Sequence, residues 1–151
     1  MAQIAKIELQ TEIKAPAEKF FNIFRSKAHI QPSICPNLIK DVQLLKGDWE
    51  TVGSVKQWTY IAGNNIETVS ETVEAIDDQN KSISFKMLDG TILDSFKNMK
   101  SSMQVSPKGD CSLVKWTIEY ENANEDVSSR NKYFEFLPSL TKAIEASLLN
   151  A

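Results

Sequence analysis

Ser112-Leu113-Val114-Lys115-Trp116-Thr117-Ile118-Glu119-Tyr120-Glu121 alternates without a break, with Val114, Trp116, Ile118 and Tyr120 on one side and Lys115, Thr117, Glu119 and Glu121 on the other. A period of two predicts a strand with one buried and one solvated face. Reading back along the chain, further strands are expected at about Phe96–Ser106, Lys81–Leu88, Ile66–Asp77, Ser54–Ala62, Ile39–Leu45 and Ile4–Ile13. Turn chemistry separates most of them: Gly47 to Gly53, Gly63-Asn64-Asn65, Asp77-Asp78-Gln79-Asn80, Asp89-Gly90 and Pro107-Lys108-Gly109-Asp110. Connections this short predict neighbouring antiparallel strands.

Helices flank this run of strands. Ala15-Pro16-Ala17-Glu18 opens a short helix, with Pro16 in its first turn, that aligns Phe20, Phe21 and Phe24 on one stripe. Pro32 and Pro36 confine Ser26 to Asn37 to a turn or a second short helix. The chain closes with one long helix, capped by Ser128 or Ser129 and ending near Leu149, on which Tyr133, Phe136, Leu137, Leu140, Ile144 and Leu148 keep a three-or-four step. Pro138 inside it removes a backbone hydrogen bond and is expected to bend the axis. An α+β fold follows, a single domain over residues 1–151 in which an antiparallel sheet curves around the last helix. One helix does not fill the concave side of such a sheet, so an apolar hollow suited to a small molecule is expected.

Composition narrows the function classes. The chain has 151 residues, 42% of them apolar, enough for a real core. Its net charge of −3 offers no basic field for a phosphate backbone, which argues against a nucleic-acid partner. Met1-Ala2-Gln3-Ile4 lacks the apolar core of an export signal, and no apolar run reaches the length of a membrane span. With Cys35 and Cys111 as its two cysteines, the chain is expected to carry reduced thiols in the cytoplasm. A single histidine, His29, and no C-x-x-C pair leave no metal spacing, and no cofactor is expected.

Strand periodicity assigns the inner face. It takes Lys56, Trp58 and Tyr60, then Val69, Glu71 and Val73, then Ile83, Phe85 and Met87, then Met99, Ser101, Met103 and Val105. Methionine suits a pocket that adapts to its guest. Lys56 and Glu71 place two charges on this face of adjacent strands, and buried charge is costly unless paired or hydrated. A Lys56–Glu71 contact in a water-containing cavity would relieve both, and so would a position near a strand end within reach of solvent.

Several stretches together resemble the plant major latex protein family, a branch of the birch-pollen-allergen (pathogenesis-related class 10) superfamily with a START-like fold. They are Gly47-Asp48-Trp49-Glu50-Thr51-Val52-Gly53-Ser54-Val55, the Gly63-Asn64 turn, Val73-Glu74-Ala75-Ile76-Asp77, and Pro107-Lys108-Gly109 followed by Ser112 to Glu121. The resemblance runs end to end, Phe136-Leu137 in the last helix included. It implies a helix-grip fold: a seven-stranded antiparallel sheet, two short helices in a V, and a long C-terminal helix across a hydrophobic cavity. It also implies binding of sterols, fatty acids, flavonoids or other plant metabolites, with roles in defence, stress or transport. The Lys46–Gly53 stretch keeps only Gly47 and Gly53, which argues against a cradle of backbone N–H groups for phosphate.

The expected ligand-lining set is therefore Trp58, Tyr60, Val69, Ile83, Phe85, Met87, Met99, Ser101, Met103, Trp116 and Ile118 from the sheet, with Lys56 and Glu71 as polar members. Phe136, Leu137, Leu140 and Ile144 form the helix side, and Phe21 and Phe24 the mouth. Periodicity alone describes plain core equally well. The leading expectation is a non-catalytic carrier of a hydrophobic small molecule, a monomer or weak dimer. The alternative is a condensing enzyme or isomerase using Lys56, Glu71 and Tyr60, which supply the residue types such chemistry needs. A nuclease is disfavoured by the charge and the poor glycine loop, and a hormone-receptor-like adaptor by the plain Gly63–Asn65 and Asp89–Ile92 loops.

Overall fold

The first strand joins the last. β1 (Ile4–Ile13) pairs antiparallel with β7 (Cys111–Asn122), and the remaining strands follow as a meander: β2 (Ile39–Lys46), β3 (Val55–Ala62), β4 (Asn65–Asp77), β5 (Ser82–Gly90) and β6 (Phe96–Lys108). The seven strands form one antiparallel sheet in the order β1-β7-β6-β5-β4-β3-β2. This is a computed structural model, and it describes residues 4–122 and 130–150. To pass from one sheet edge to the other, the chain runs through α1 (Ala17–Arg25), a 3₁₀ turn at Ala28–Ile30 and α2 (Gln31–Ile34). The long helix α3 (Asn131–Leu149) packs against β1, β3, α1 and α2. The expected cap at Ser128 or Ser129 lies outside the described residues.

The inner face is the one the period of two predicts. Val114, Trp116, Ile118 and Tyr120 are all buried, as are Ile83, Phe85 and Met87 on β5 and Met99, Ser101, Met103 and Val105 on β6. Bulges reset the alternation where the sheet bends. One, between Lys97 and Lys100 with Asn98 at φ 53°, lets Phe96 and Met99 both face inward despite their odd spacing. Another, between Val73 and Ala75, sets Ile76 opposite the inward Ile83. Gly90 is needed where β5 ends: its φ is +144°, and a Cβ there would stand 2.5 Å from the Thr68 carbonyl oxygen.

Local chemistry places the helices. Pro16 sits one residue before α1 rather than within its first turn, and its carbonyl accepts the Phe20 N–H at 3.1 Å. Phe20, Phe21, Ile23 and Phe24 are the buried face of α1. α3 continues through Pro138. Three residues on, the fully buried Thr141 hydroxyl donates to the Leu137 carbonyl at 2.8 Å and accepts the Trp116 Nε1–H at 3.1 Å, fastening α3 to β7. Buried Glu145 accepts the Lys14 backbone N–H and holds the other end of the helix to the β1–α1 junction.

Candidate ligand-binding cavity

Between the inner face of the sheet and α3 lies a cavity of about 120 Å³ with a predominantly apolar wall. The sheet supplies Trp58, Tyr60, Val69, Glu71, Phe85, Met87, Met99, Ser101, Trp116 and Ile118, each by the alternation described above. α3 supplies Phe136, Leu137 and Leu140, one step of its apolar stripe, and α1 supplies Phe24. Two edge-to-face aromatic contacts shape the wall, Phe24 on Trp116 and Tyr60 on Phe136, both with ring centroids 5.4 Å apart.

Other expected members lie elsewhere. Phe21, Ile83, Met103 and Ile144 are buried but sit in the solid core beside the cavity rather than on its wall. Lys56 is also off the wall: it is only 2% exposed and lies under the β2–β3 loop, its Nζ 6.0 Å from the centre of the Trp49 ring. Trp49 in turn meets exposed His29 with the two rings tilted by 54° and their centroids 5.3 Å apart. The wall gains four residues not expected from the sequence: Gln31, Ile39, Ile92 and Tyr133. Gln31, Ile39 and Ile92 come from the crossover, the start of β2 and a 3₁₀ turn, where no periodicity marks an inward direction. Tyr133 opens the apolar stripe that periodicity marks on α3, and it lines the wall together with Phe136, Leu137 and Leu140 from the same stripe.

The polar groups divide into two clusters. Lys56 and Glu71 are directly opposite in the β3–β4 register, yet no ion pair within 4.0 Å joins them. Neither reaches solvent at a strand end, for Glu71 is 8% exposed. Its Oε1 accepts the Trp58 Nε1–H at 2.7 Å. Burial pushes the Glu71 carboxyl up to about 7, against the lowering effect of the Trp58 bond and the Lys56 charge. Burial likewise lowers Lys56, opposed by the charges of Glu71 and Asp48.

The second cluster was missed. Buried Glu67 accepts hydrogen bonds from Tyr133 Oη at 2.7 Å and Tyr60 Oη at 3.3 Å, and forms an ion pair with Lys132 Nζ at 2.7 Å. It joins the β3–β4 hairpin to the start of α3. The period of two through Val69 and Glu71 already placed Glu67 inward. Burial is the main reason that Tyr60 and Tyr133 are pushed above the ordinary tyrosine range, with Glu67 adding to it.

Of Lys56, Glu71 and Tyr60, only Glu71 and Tyr60 line the cavity, and the Tyr60 hydroxyl donates to Glu67. The Cys35 thiol is buried, donates to the Gln31 carbonyl at 3.1 Å and is pushed up to about 11 by burial, so it stays protonated at neutral pH. Among the described residues no group of three or more histidine, cysteine or acidic side chains could hold a metal ion.

A curved sheet gripping one long helix over an apolar cavity defines a helix-grip fold. The chain belongs to the pathogenesis-related protein Bet v 1 family, whose family model matches residues 2–151, and its relatives place it on the major latex protein branch. MLP-like protein 34 of Arabidopsis thaliana is 35% identical over 145 residues, 95% of this chain and 46% of that protein. MLP-like protein 31 of the same plant is 33% identical over 147 residues, 96% of this chain and 86% of that protein. The chain spans about half the length of some of these relatives, 46% of MLP-like protein 34 and 44% of MLP-like protein 28. The crystal structure of ginseng major latex-like protein 151 from Panax ginseng superposes with a TM-score of 0.91 at 37% identity, covering 97% of this chain and 98% of that one. Norcoclaurine synthase of Thalictrum flavum, a point mutant in complex with a transition-state analogue, superposes with a TM-score of 0.80 at 20% identity over 99% of this chain and 97% of that one, a likeness of fold alone. No helix among the described residues is long and apolar enough to cross a membrane.

Proposed function

We propose that residues 1–151 act as one non-catalytic binding unit, a cytoplasmic carrier or buffer for a hydrophobic plant metabolite. The observation that carries this reading is the apolar cavity between α3 and the sheet, with aromatic and methionine side chains on its wall. Apolar burial would supply most of the affinity, about 25 cal/mol per Å² removed from water, less the cost of ordering guest and wall. At about 120 Å³ the cavity is smaller than the ~300–1,000 Å³ typical of drug-sized ligands. A compact guest fits it as it stands. A sterol, fatty acid or flavonoid requires α3 to move outward or the wall, with Met87 and Met99, to repack. The net charge of −3 supports the absence of a nucleic-acid partner, and exposed edge strands are compatible with a monomer or a weak dimer. A place in defence or stress rests on the family.

Native mass spectrometry of the protein isolated from plant tissue, with tryptophan fluorescence followed on addition of candidate ligands, tests the reading. The expected result is a retained hydrophobic adduct and a spectral shift that is lost in Trp58→Ala or Trp116→Ala. Absence of both across chemically varied ligands would leave the interior as plain core.

A further inference from the structure

Resting on the binding reading above, we infer that the cavity selects compact guests of about one ring by the hydrogen-bonding character of their head group, and that Glu71 makes the selection. Above neutral pH the favoured guest donates a hydrogen bond, and below it the favoured guest accepts one.

Size comes first. A dry apolar cavity of about 150 Å³ is enough to take benzene, and this one measures about 120 Å³. Most polar atoms on the wall are already engaged. The Tyr60 and Tyr133 hydroxyls serve Glu67, the Trp116 N–H serves Thr141, and the Gln31 amide donates to the Ile23 carbonyl at 3.3 Å. The Ser101 hydroxyl and the Gln31 amide oxygen have no side-chain partner among the described residues, but both are neutral at every pH. Glu71 differs in being ionisable: Trp58 takes its Oε1, and its Oε2 has no protein donor among the described residues.

The groups around Glu71 leave its own proton as the switch. Across β3 stands Lys56, held off ion-pair distance, with Asp48 acting on Lys56 from the loop behind. The wall residues brought by β5, α1 and α3 carry no formal charge, and α2 brings the neutral amide of Gln31. With Glu71 ionised, Oε2 can only accept, so a guest lacking a donor leaves a carboxylate oxygen unpaired in apolar surroundings. With Glu71 protonated, one oxygen still accepts from Trp58 while the new O–H donates, and an acceptor head becomes the better partner. The carboxyl is poised to change between these states near neutrality because burial has raised it to about 7.

The test is calorimetric titration of the full chain with phenol, toluene and benzonitrile, at about pH 5.5 and about pH 8.5, either side of the raised carboxyl. The probes share one ring and differ in head group: donor, neither, and acceptor. None changes charge over this interval. At the higher pH phenol should bind about tenfold tighter than toluene, and benzonitrile more weakly than toluene. At the lower pH benzonitrile should gain about tenfold on toluene, and the advantage of phenol should shrink to within about threefold. Glu71→Gln, whose amide can offer its oxygen to Trp58 and its NH₂ to the cavity, should behave at both pH values as the unaltered protein does at the lower one. Equal binding of phenol and toluene at both pH values overturns selection by Glu71 and leaves the cavity reading standing. A pH response that survives Glu71→Gln also overturns it. Failure of all three probes to bind overturns the selection of one-ring guests, while the carrier reading stands or falls on the adduct and fluorescence test above.

Discussion

Glu67 and Glu71 share a strand, a face and a burial class, and each lies opposite a polar residue of β3: Tyr60 for the first, Lys56 for the second. Their surroundings diverge completely. Glu67 draws Tyr60, Tyr133 and Lys132 into one cluster, because α3 starts directly over it. Glu71 receives one donor, Trp58, and faces the cavity. Two identical side chains thus become a fastening and a variable group, and the difference is the number of donors the tertiary structure brings to each. A carboxylate with three donors holds secondary elements together, whereas one with a single donor keeps an oxygen for something else.

Removing the better-bonded carboxylate should have the largest effect. Glu67→Ala leaves two tyrosine hydroxyls and the Lys132 ammonium without their acceptor, and is expected to lower stability by about 4 kcal/mol. The shift in denaturant midpoint measures it, and a loss below about 1 kcal/mol would mean that the cluster is not a fastening.

The opposite sign is expected at the other glutamate. The folded-state carboxyl of Glu71 is raised from 4.5 to about 7, so the folded protein binds more protons than the unfolded chain between those values. Stability should therefore fall as pH rises from 4.5 to 7, by about 3 kcal/mol in all if this group acts alone. Glu71→Gln should flatten that slope and be the more stable protein at about pH 8. A slope unchanged in the variant would assign it to another group.

Smaller changes sharpen the contrast. Lys132→Met removes one of the three partners of Glu67 from a site that is partly open to solvent, and should cost about 2 kcal/mol by thermal or chemical unfolding. Trp58→Phe removes the one donor to Glu71. It should raise the pH at which Glu71 titrates, followed by the NMR shift of its carboxyl carbon, and destabilise by about 1 kcal/mol more where the group is ionised than where it is protonated.

The two glutamates were not equally visible in the sequence. Glu71 stood out because Lys56 falls on the same face of the neighbouring strand, and the register does set them opposite each other. Glu67 obeys the same period of two but is functionally defined by Tyr133 and Lys132, more than sixty positions further along the chain. Lys56 shows the converse: its inward direction was readable, but its place beneath Trp49 rather than on the cavity wall depends on how the β2–β3 loop folds back. That loop is held by the Asp48 N–H donating to the Ser54 hydroxyl, the Glu50 N–H donating to the Asp48 carboxylate and the Arg25 guanidinium donating to the Glu50 carbonyl, contacts that no periodicity encodes.

What the sequence determined by itself was the set of strands, their inner faces and the final helix. Alternation and turn residues act over a few positions, and burying one face of each strand satisfies them in a single consistent way. The tertiary structure alone decided which inward residues border open space and which fill solid core, as Trp116 and Met99 do the first and Met103 and Ile144 the second. It also set the size of that space and the unequal bonding of two like carboxylates. These properties depend on the separation between α3 and the sheet, the sum of side-chain volumes packed from every element at once, and no local pattern carries that sum.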